Sequence, residues 1–170
     1  MVQFFLFFIF ISLAGMAIGA LATVKIWYSL PVFLMVSGAV CFISFWLGII
    51  IGAAFFSWLP VFFTKFFIIL FCLGLAFFFF RQFHPSYGYF PYRGWLHWVL
   101  LAAFFFIIGI DFAIIGFSAW FLFLFLPVFA GMLFLGALLM WKLKMLFRLG
   151  AVLIYVPLFF FIFLALFKLV

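Results

Sequence analysis

The chain has 170 residues, of which 76% belong to the hydrophobic types and only 5% are charged. A soluble domain carries roughly 25% charged residues, so this composition excludes a water-facing surface and predicts one integral membrane domain over residues 1–170. The net charge of +7 comes from eight basic residues spread along the chain, a distribution that fits membrane topology better than nucleic-acid binding.

The predicted helices follow from charges, prolines and the length limit, because the hydrophobic runs are too continuous to show a period. A spanning helix takes about 20 residues, so the all-α chain holds about six, or five if residues 118–141 lie partly in the interface. Residues 4–24, 31–51, 55–80 and 149–167 each form one predicted helix, and residues 94–141 form two that separate near 116–118. The break between the second and third helices is predicted at 52–54, with Pro60 either in the first turns of the third helix or at a kink in it.

Basic residues in the predicted loops set the orientation of the helices. With six helices, six basic residues fall on one side of the membrane: Lys25, Arg81, Arg93, Lys142, Lys144 and Arg148. Basic loops mark the side from which a membrane protein is inserted. We therefore expect this side to face the cytoplasm or an organelle matrix, and both termini to lie on the opposite side.

Two charged residues lie inside predicted helices. Lys65 stands about ten residues into the third helix, which is about 15 Å from its start and near the middle of the membrane. A charge there costs about 2.5–3.5 kcal/mol or more and usually has a partner, and Asp111 is the only acidic residue. A Lys65–Asp111 pair is thus predicted, as a proton relay or as a structural contact, unless neighbouring subunits supply both partners.

Two glycine pairs predict close packing between helices. Gly15 and Gly19 are four residues apart, and so are Gly48 and Gly52. This spacing lets helix backbones approach each other inside a membrane. It says nothing about which helix is the partner.

The sequence offers no set of residues for independent catalysis or for metal binding. His84 and His97 stand thirteen residues apart around one predicted loop, and we interpret them as solvated interfacial residues rather than as haem ligands. There is no Gly-rich phosphate loop and no clustered set of metal ligands. We expect no enzyme activity from this chain by itself and no cofactor bound by it.

Helices one to three resemble subunit 6 of proton-pumping NADH–quinone oxidoreductase, respiratory complex I. That family enters its second helix through an Asn-Pro-Val-like turn, where this chain has Leu30-Pro31-Val32 after the basic Lys25. It enters its third helix through a Gly-x-Glu-Phe-like turn, where this chain has Gly52-Ala53-Ala54-Phe55-Phe56. Ala54 stands in place of the family's acidic residue, and residues 64–67 stand in place of its Tyr-Val-Gly-Ala bulge. The resemblance covers about residues 1–80.

The resemblance implies a non-catalytic subunit at the junction between a quinone site and proton channels, with quinone bound in the complex and other membrane subunits as partners. Such subunits lie in the mitochondrial inner membrane. The 37 phenylalanines and the absence of asparagine also resemble proteins encoded in organelle genomes. The residues leave three alternatives open: a small standalone transporter, the membrane component of an uptake system, and a purely structural or assembly subunit.

Overall fold

The computed structural model describes residues 2–21, 29–84, 88–90, 95–117, 119–147 and 155–169. These residues form six α-helices: α1 Val2–Leu21, α2 Leu30–Phe55, α3 Val61–Gln82, α4 Leu96–Ile115, α5 Leu122–Phe147 and α6 Val156–Leu169. A 3-10 turn over Ala119–Phe121 precedes α5. Helices α1 to α5 are long and apolar enough to cross a membrane, and α6 is a shorter apolar helix of 14 residues. The predicted all-α fold is confirmed. Five of the described helices are long enough to span a membrane, and the shorter one is the last helix and not the segment at 118–141.

The predicted break between α2 and α3 was placed too early. Gly52 lies inside α2, which continues to Phe55, and its carbonyl accepts a hydrogen bond from the Phe56 N–H at 3.0 Å. Pro60 is the N-cap of α3 and does not lie within its first turns. Proline has no N–H to donate and pushes the residue before it toward an extended conformation, so α3 begins only after Pro60.

The break between α4 and α5 is closer to the prediction, whereas α5 continues through Lys142 and Lys144 to Phe147, beyond the predicted end at 141. These two lysines therefore lie in the last turns of a helix and not in a loop. Gly116 ends α4 with a left-handed φ of 81° and donates its N–H to the Ala113 carbonyl, which is a common glycine helix end. The predicted separation near 116–118 is therefore correct. The predicted basic turn at Lys25 and the start of the last predicted helix, at 149, lie outside the described residues.

Contacts between α1 and α5 show that these two helices run parallel. A Cβ atom on Gly15 would lie 3.0 Å from the Phe129 carbonyl oxygen, and one on Gly19 would overlap the Leu133 carbonyl. Both glycines therefore lie where the helix backbones touch. Gly136 is the corresponding contact glycine on α5, since a Cβ atom on it would overlap the backbone of Met16 on α1.

Helices α2 and α4 form a second parallel pair. A Cβ on Gly48 would lie 3.0 Å from the Cα of Gly109, and one on Gly52 would lie 3.0 Å from the Cβ of Ala113. The four glycines identified in the sequence thus lie in two helix–helix contacts. Gly109 and Gly136 supply the opposing surfaces and were missed, because a spacing within one helix does not identify its partner.

Helix α6 packs antiparallel to α3 and closes the bundle. The rings of Phe79 and Phe161 stack at 5.9 Å, and those of Phe80 and Tyr155 lie 6.1 Å apart. The chain therefore begins and ends at one end of the bundle, which we call the terminal end. The opposite, basic end carries Arg81 in the last turn of α3 and Lys142 and Lys144 in the last turns of α5. Among the described residues, Val2 and Leu169 therefore lie at the end away from these three basic residues, which agrees with the predicted arrangement.

Candidate functional site

Asp111 and Lys168 form an ion pair at the terminal end of the bundle. The Lys168 Nζ lies 2.6 Å from Asp111 Oδ2; the Asp111 side chain is fully buried, and the Lys168 side chain is 10% exposed. Asp111 comes from the last part of α4, and Lys168 comes from the last turn of α6. The prediction that Lys65 pairs with Asp111 was wrong, because the carboxylate is paired with Lys168 instead.

Thr64 of α3 occupies the other carboxylate oxygen. Its hydroxyl lies 2.6 Å from Asp111 Oδ1 and 2.9 Å from the carbonyl oxygen of Val61 in its own helix. A hydroxyl has one hydrogen to donate, and a charged carboxylate is the stronger acceptor. We therefore assign the hydrogen to Asp111, so both carboxylate oxygens have a partner.

The Lys168 ammonium also lies over two aromatic rings of α1. It is 5.2 Å from the ring centroid of Phe10 and 5.7 Å from that of Phe7. A cation over an aromatic face gains about 0.5–2 kcal/mol, more when water is excluded. One ammonium group thus connects α6 to α4 through charge and to α1 through the ring faces, while Thr64 connects α3 to the same carboxylate.

The cluster lies about one helical turn inside the terminal end. Asp111 is four residues before the end of α4, Thr64 is three residues after the start of α3, and Lys168 is next to the last residue of α6. At 1.5 Å per residue these positions are within about 6 Å of the helix ends. The pair therefore lies near the ends of these helices and not at their middle.

Lys65 lies at the same depth as the Asp111–Lys168 pair but does not take part in it. It is four residues after Val61, so it lies about 6 Å into α3 and not about 15 Å, because the helix starts after Pro60. Its side chain is half-buried, and the described part of the chain gives it no ion pair. The mid-membrane depth predicted for Lys65 was an error of the helix boundary.

Lys65 and Lys168 line one small cavity at the terminal end. Its volume is about 70 Å³, and Gln3 supplies a third polar side chain. The remaining lining residues are apolar or contribute only backbone polar groups: Leu6, Phe7, Phe10, Val61, Ile115 and Phe167. A water takes about 30 Å³ in the liquid, so the cavity has room for a few heavy atoms and no more.

His97 lies at the other end of α4 and departs from the prediction. The side chain is buried, its ring lies 4.8 Å from the Phe90 ring, and Nδ1 has no hydrogen-bond partner. The interpretation as a solvated residue was therefore wrong for His97, whereas His84 is exposed. His97 was misread because the rings of Phe90 and Trp98 pack against it, at 4.8 and 5.4 Å between ring centroids, and its place at the start of a helix does not show this.

The interior between these two ends is apolar. Asp111 and His97 are fourteen residues apart on one helix, which is about 21 Å. The other buried hydroxyls near the core, on Ser12 and Ser37, donate to carbonyls of their own helices at 2.8 and 3.2 Å. The residues described by the structure thus form no continuous polar path along the bundle.

An open apolar groove of about 420 Å³ lies between α2 and α5. Its walls are aliphatic and aromatic side chains together with Cys41, Gly38 and two alanines. A pocket for a polar ligand needs a few convergent polar groups, and this groove has none of them. Across the described ranges no group of three His, Cys, Asp or Glu side chains could hold a metal ion.

Sequence reasoning missed Thr64 and Lys168 for identifiable reasons. A lysine in the last turn of an apolar helix is ordinary at a membrane interface, and a lone threonine in such a helix usually bonds its own backbone. Only the position of α6 against α3 and α4 gives them a common partner. Comparison with models of protein families, with curated proteins and with solved structures found no match to this chain.

Proposed function

We propose that this chain is a non-catalytic subunit of a larger membrane complex and not a transporter that works alone. The observation that supports this is the apolar stretch of about 21 Å between His97 and Asp111, with no continuous polar path among the described residues. Ions and polar solutes need a lined path through a membrane protein. Neighbouring subunits would have to supply such a path.

The outer surface of α3 also supports a subunit role. Large apolar side chains are exposed along its whole length, at Phe62, Phe66, Leu70, Leu73, Phe77 and Phe80. These positions follow the spacing of one helix face. Such a face contacts either lipid or the helices of a neighbouring subunit, and it leaves α3 free to form an intersubunit contact.

For the complex itself we propose proton-pumping NADH–quinone oxidoreductase of the mitochondrial inner membrane. The support is the sequence resemblance over about residues 1–80 and the orientation it shares with the predicted topology. In this proposal the chain assists the coupling of quinone reduction to proton movement, carries no cofactor of its own, and leaves quinone to other subunits. With Ala54 in place of the family's acidic residue, direct proton transfer by this chain is not part of the proposal.

Native-gel analysis of the membrane fraction tests both levels of the proposal. We expect the tagged chain to migrate with iron–sulfur and quinone-reductase subunits, and its depletion to lower NADH-driven quinone reduction and proton pumping together. If the chain co-migrates with a different enzyme complex, the proposal that it is a subunit holds, and the assignment to a respiratory complex is contradicted. If the chain is a stable monomer in mild detergent, or co-migrates with a membrane ATPase, the proposal of a respiratory subunit is contradicted. Either result would favour a transporter.

A further inference from the structure

The cavity at the terminal end has an excess of positive charge. Lys168 and Lys65 both line it, and the carboxylate of Asp111 balances only Lys168. Across the described residues Lys65 has no anionic partner, and its side chain is only half-buried. Among the described residues the local charge is therefore +1, about one helical turn inside the terminal end.

We propose that this cavity binds a phosphate group, with the ammonium group of Lys65 as its main contact and Lys168 and Gln3 beside it. Lysine binds phosphate as a compact charge with three N–H donors, and the Gln3 amide adds two more. A phosphate would give Lys65 the anionic partner that it lacks among the described residues. This inference does not depend on membership of a respiratory complex.

The size of the cavity limits the ligand. Sites for drug-sized molecules are about 300–1,000 Å³, whereas this one is about 70 Å³. It can take the oxygens of one phosphate group but not the rest of a large anion. Both a phospholipid and free inorganic phosphate present this chemistry.

The surroundings suit a phospholipid as the source of the phosphate. Phe62 and Phe66 flank Lys65 on α3, and both are exposed. Acyl chains would lie along this apolar face while the phosphodiester reaches the cavity at headgroup depth. Lysine near the end of a spanning helix extends its charge toward the same depth.

The test uses the full chain in phosphatidylcholine nanodiscs that contain a photoactivatable phosphatidylglycerol, with cross-linked peptides mapped by mass spectrometry. In the wild-type chain we expect cross-links in the first turns of α3 and the last turn of α6. Lys65→Met should lower their yield about tenfold, the loss expected for one charge-assisted hydrogen bond, and Lys65→Arg should retain most of it. Lys142→Met removes the same charge from the exposed basic end and should leave these cross-links unchanged.

Asp111→Asn provides a test of opposite sign. It removes the anion that balances Lys168, so the cross-link yield at the same peptides should rise. A further measurement adds excess inorganic phosphate, with chloride at equal ionic strength as the control for screening. If free phosphate also binds, it should lower the cross-link yield. If the yield does not change, the site is assigned to the lipid. Should Asp111→Asn fail to fold, the Lys65 variants decide alone. Equal yields from Lys65→Met and Lys142→Met would overturn the proposal.

Discussion

At the scale of single residues, one carboxylate organises the polar chemistry of the terminal end. Asp111 is fully buried and has both oxygens engaged, by Lys168 and by Thr64. A buried ion pair is not by itself strongly stabilising, because removing two charges from water offsets much of their attraction. Removing only one of the two charges is costly, because the other charge then stays buried without a partner.

The Asp111–Lys168 pair should therefore behave as a unit in a double-mutant cycle. We expect Asp111→Asn and Lys168→Met each to lower the free energy of unfolding by about 3–5 kcal/mol, and the double variant to recover most of that loss. Unfolding of the chain in lipid nanodiscs, followed by tryptophan fluorescence, would measure this. Lys142→Met at the exposed basic end is the matched control and should have little effect. Additive losses in the double variant would show that the two residues are not coupled.

Thr64 permits a second measurement on the same carboxylate. Thr64→Val keeps the shape of the side chain but removes the donor at 2.6 Å, so one buried carboxylate oxygen loses its hydrogen bond. We expect a loss of about 1–3 kcal/mol in the free energy of unfolding. Thr64→Ser keeps the hydroxyl and should lose less. If both variants unfold like the wild type, the hydroxyl does not support Asp111.

At the scale of helices, glycine brings two parallel pairs of helices into backbone contact. Membrane helices gain little from a hydrophobic effect between them, so close packing of small residues has a large share in their association. Gly48 and Gly109 face each other in the α2–α4 contact. Gly38 of the same helix α2 has no atom within 4 Å of where a Cβ would be.

Two substitutions to alanine in α2 should therefore have opposite effects. Gly48→Ala forces its new methyl group against the Phe106 carbonyl, and we expect a loss of about 1–3 kcal/mol from overpacking. Gly38→Ala meets open space and should be neutral or stabilising, since alanine favours helix over glycine by up to about 1 kcal/mol. Denaturant titration in the same nanodiscs compares the two. Equal effects would mean that α2 and α4 do not touch at Gly48.

At the scale of the whole molecule, the antiparallel arrangement of the helices can be tested from outside. Single cysteines at Arg81 and Lys144, both exposed at the basic end, should react with an impermeant maleimide from the same side of sealed vesicles. A cysteine at Gln3 should react only from the other side. The native Cys41 and Cys72 are buried and should stay unlabelled. Labelling of Arg81→Cys and Lys144→Cys from opposite sides would disprove this topology.

Much of the architecture could be predicted from the sequence. A chain with 5% charged residues must place most of its surface in lipid, and a backbone in lipid must satisfy its hydrogen bonds internally, so it forms helices whatever the local propensity. The length limit of a span and the position of the basic residues then determine the number and direction of the helices. These are local or compositional properties, and they need no knowledge of which helix touches which.

The partner of Asp111 was decided only by the tertiary structure. Lys168 is 57 residues away along the chain, and no spacing rule connects a late residue of α4 with the last turn of α6. Lys65 was the predicted partner because α3 was expected to begin near residue 55, whereas Pro60 delays its start to Val61 and changes the depth of the side chain. The sequence thus determined that a buried carboxylate needs a cation, and the packing of α6 against α1, α3 and α4 decided which cation it is.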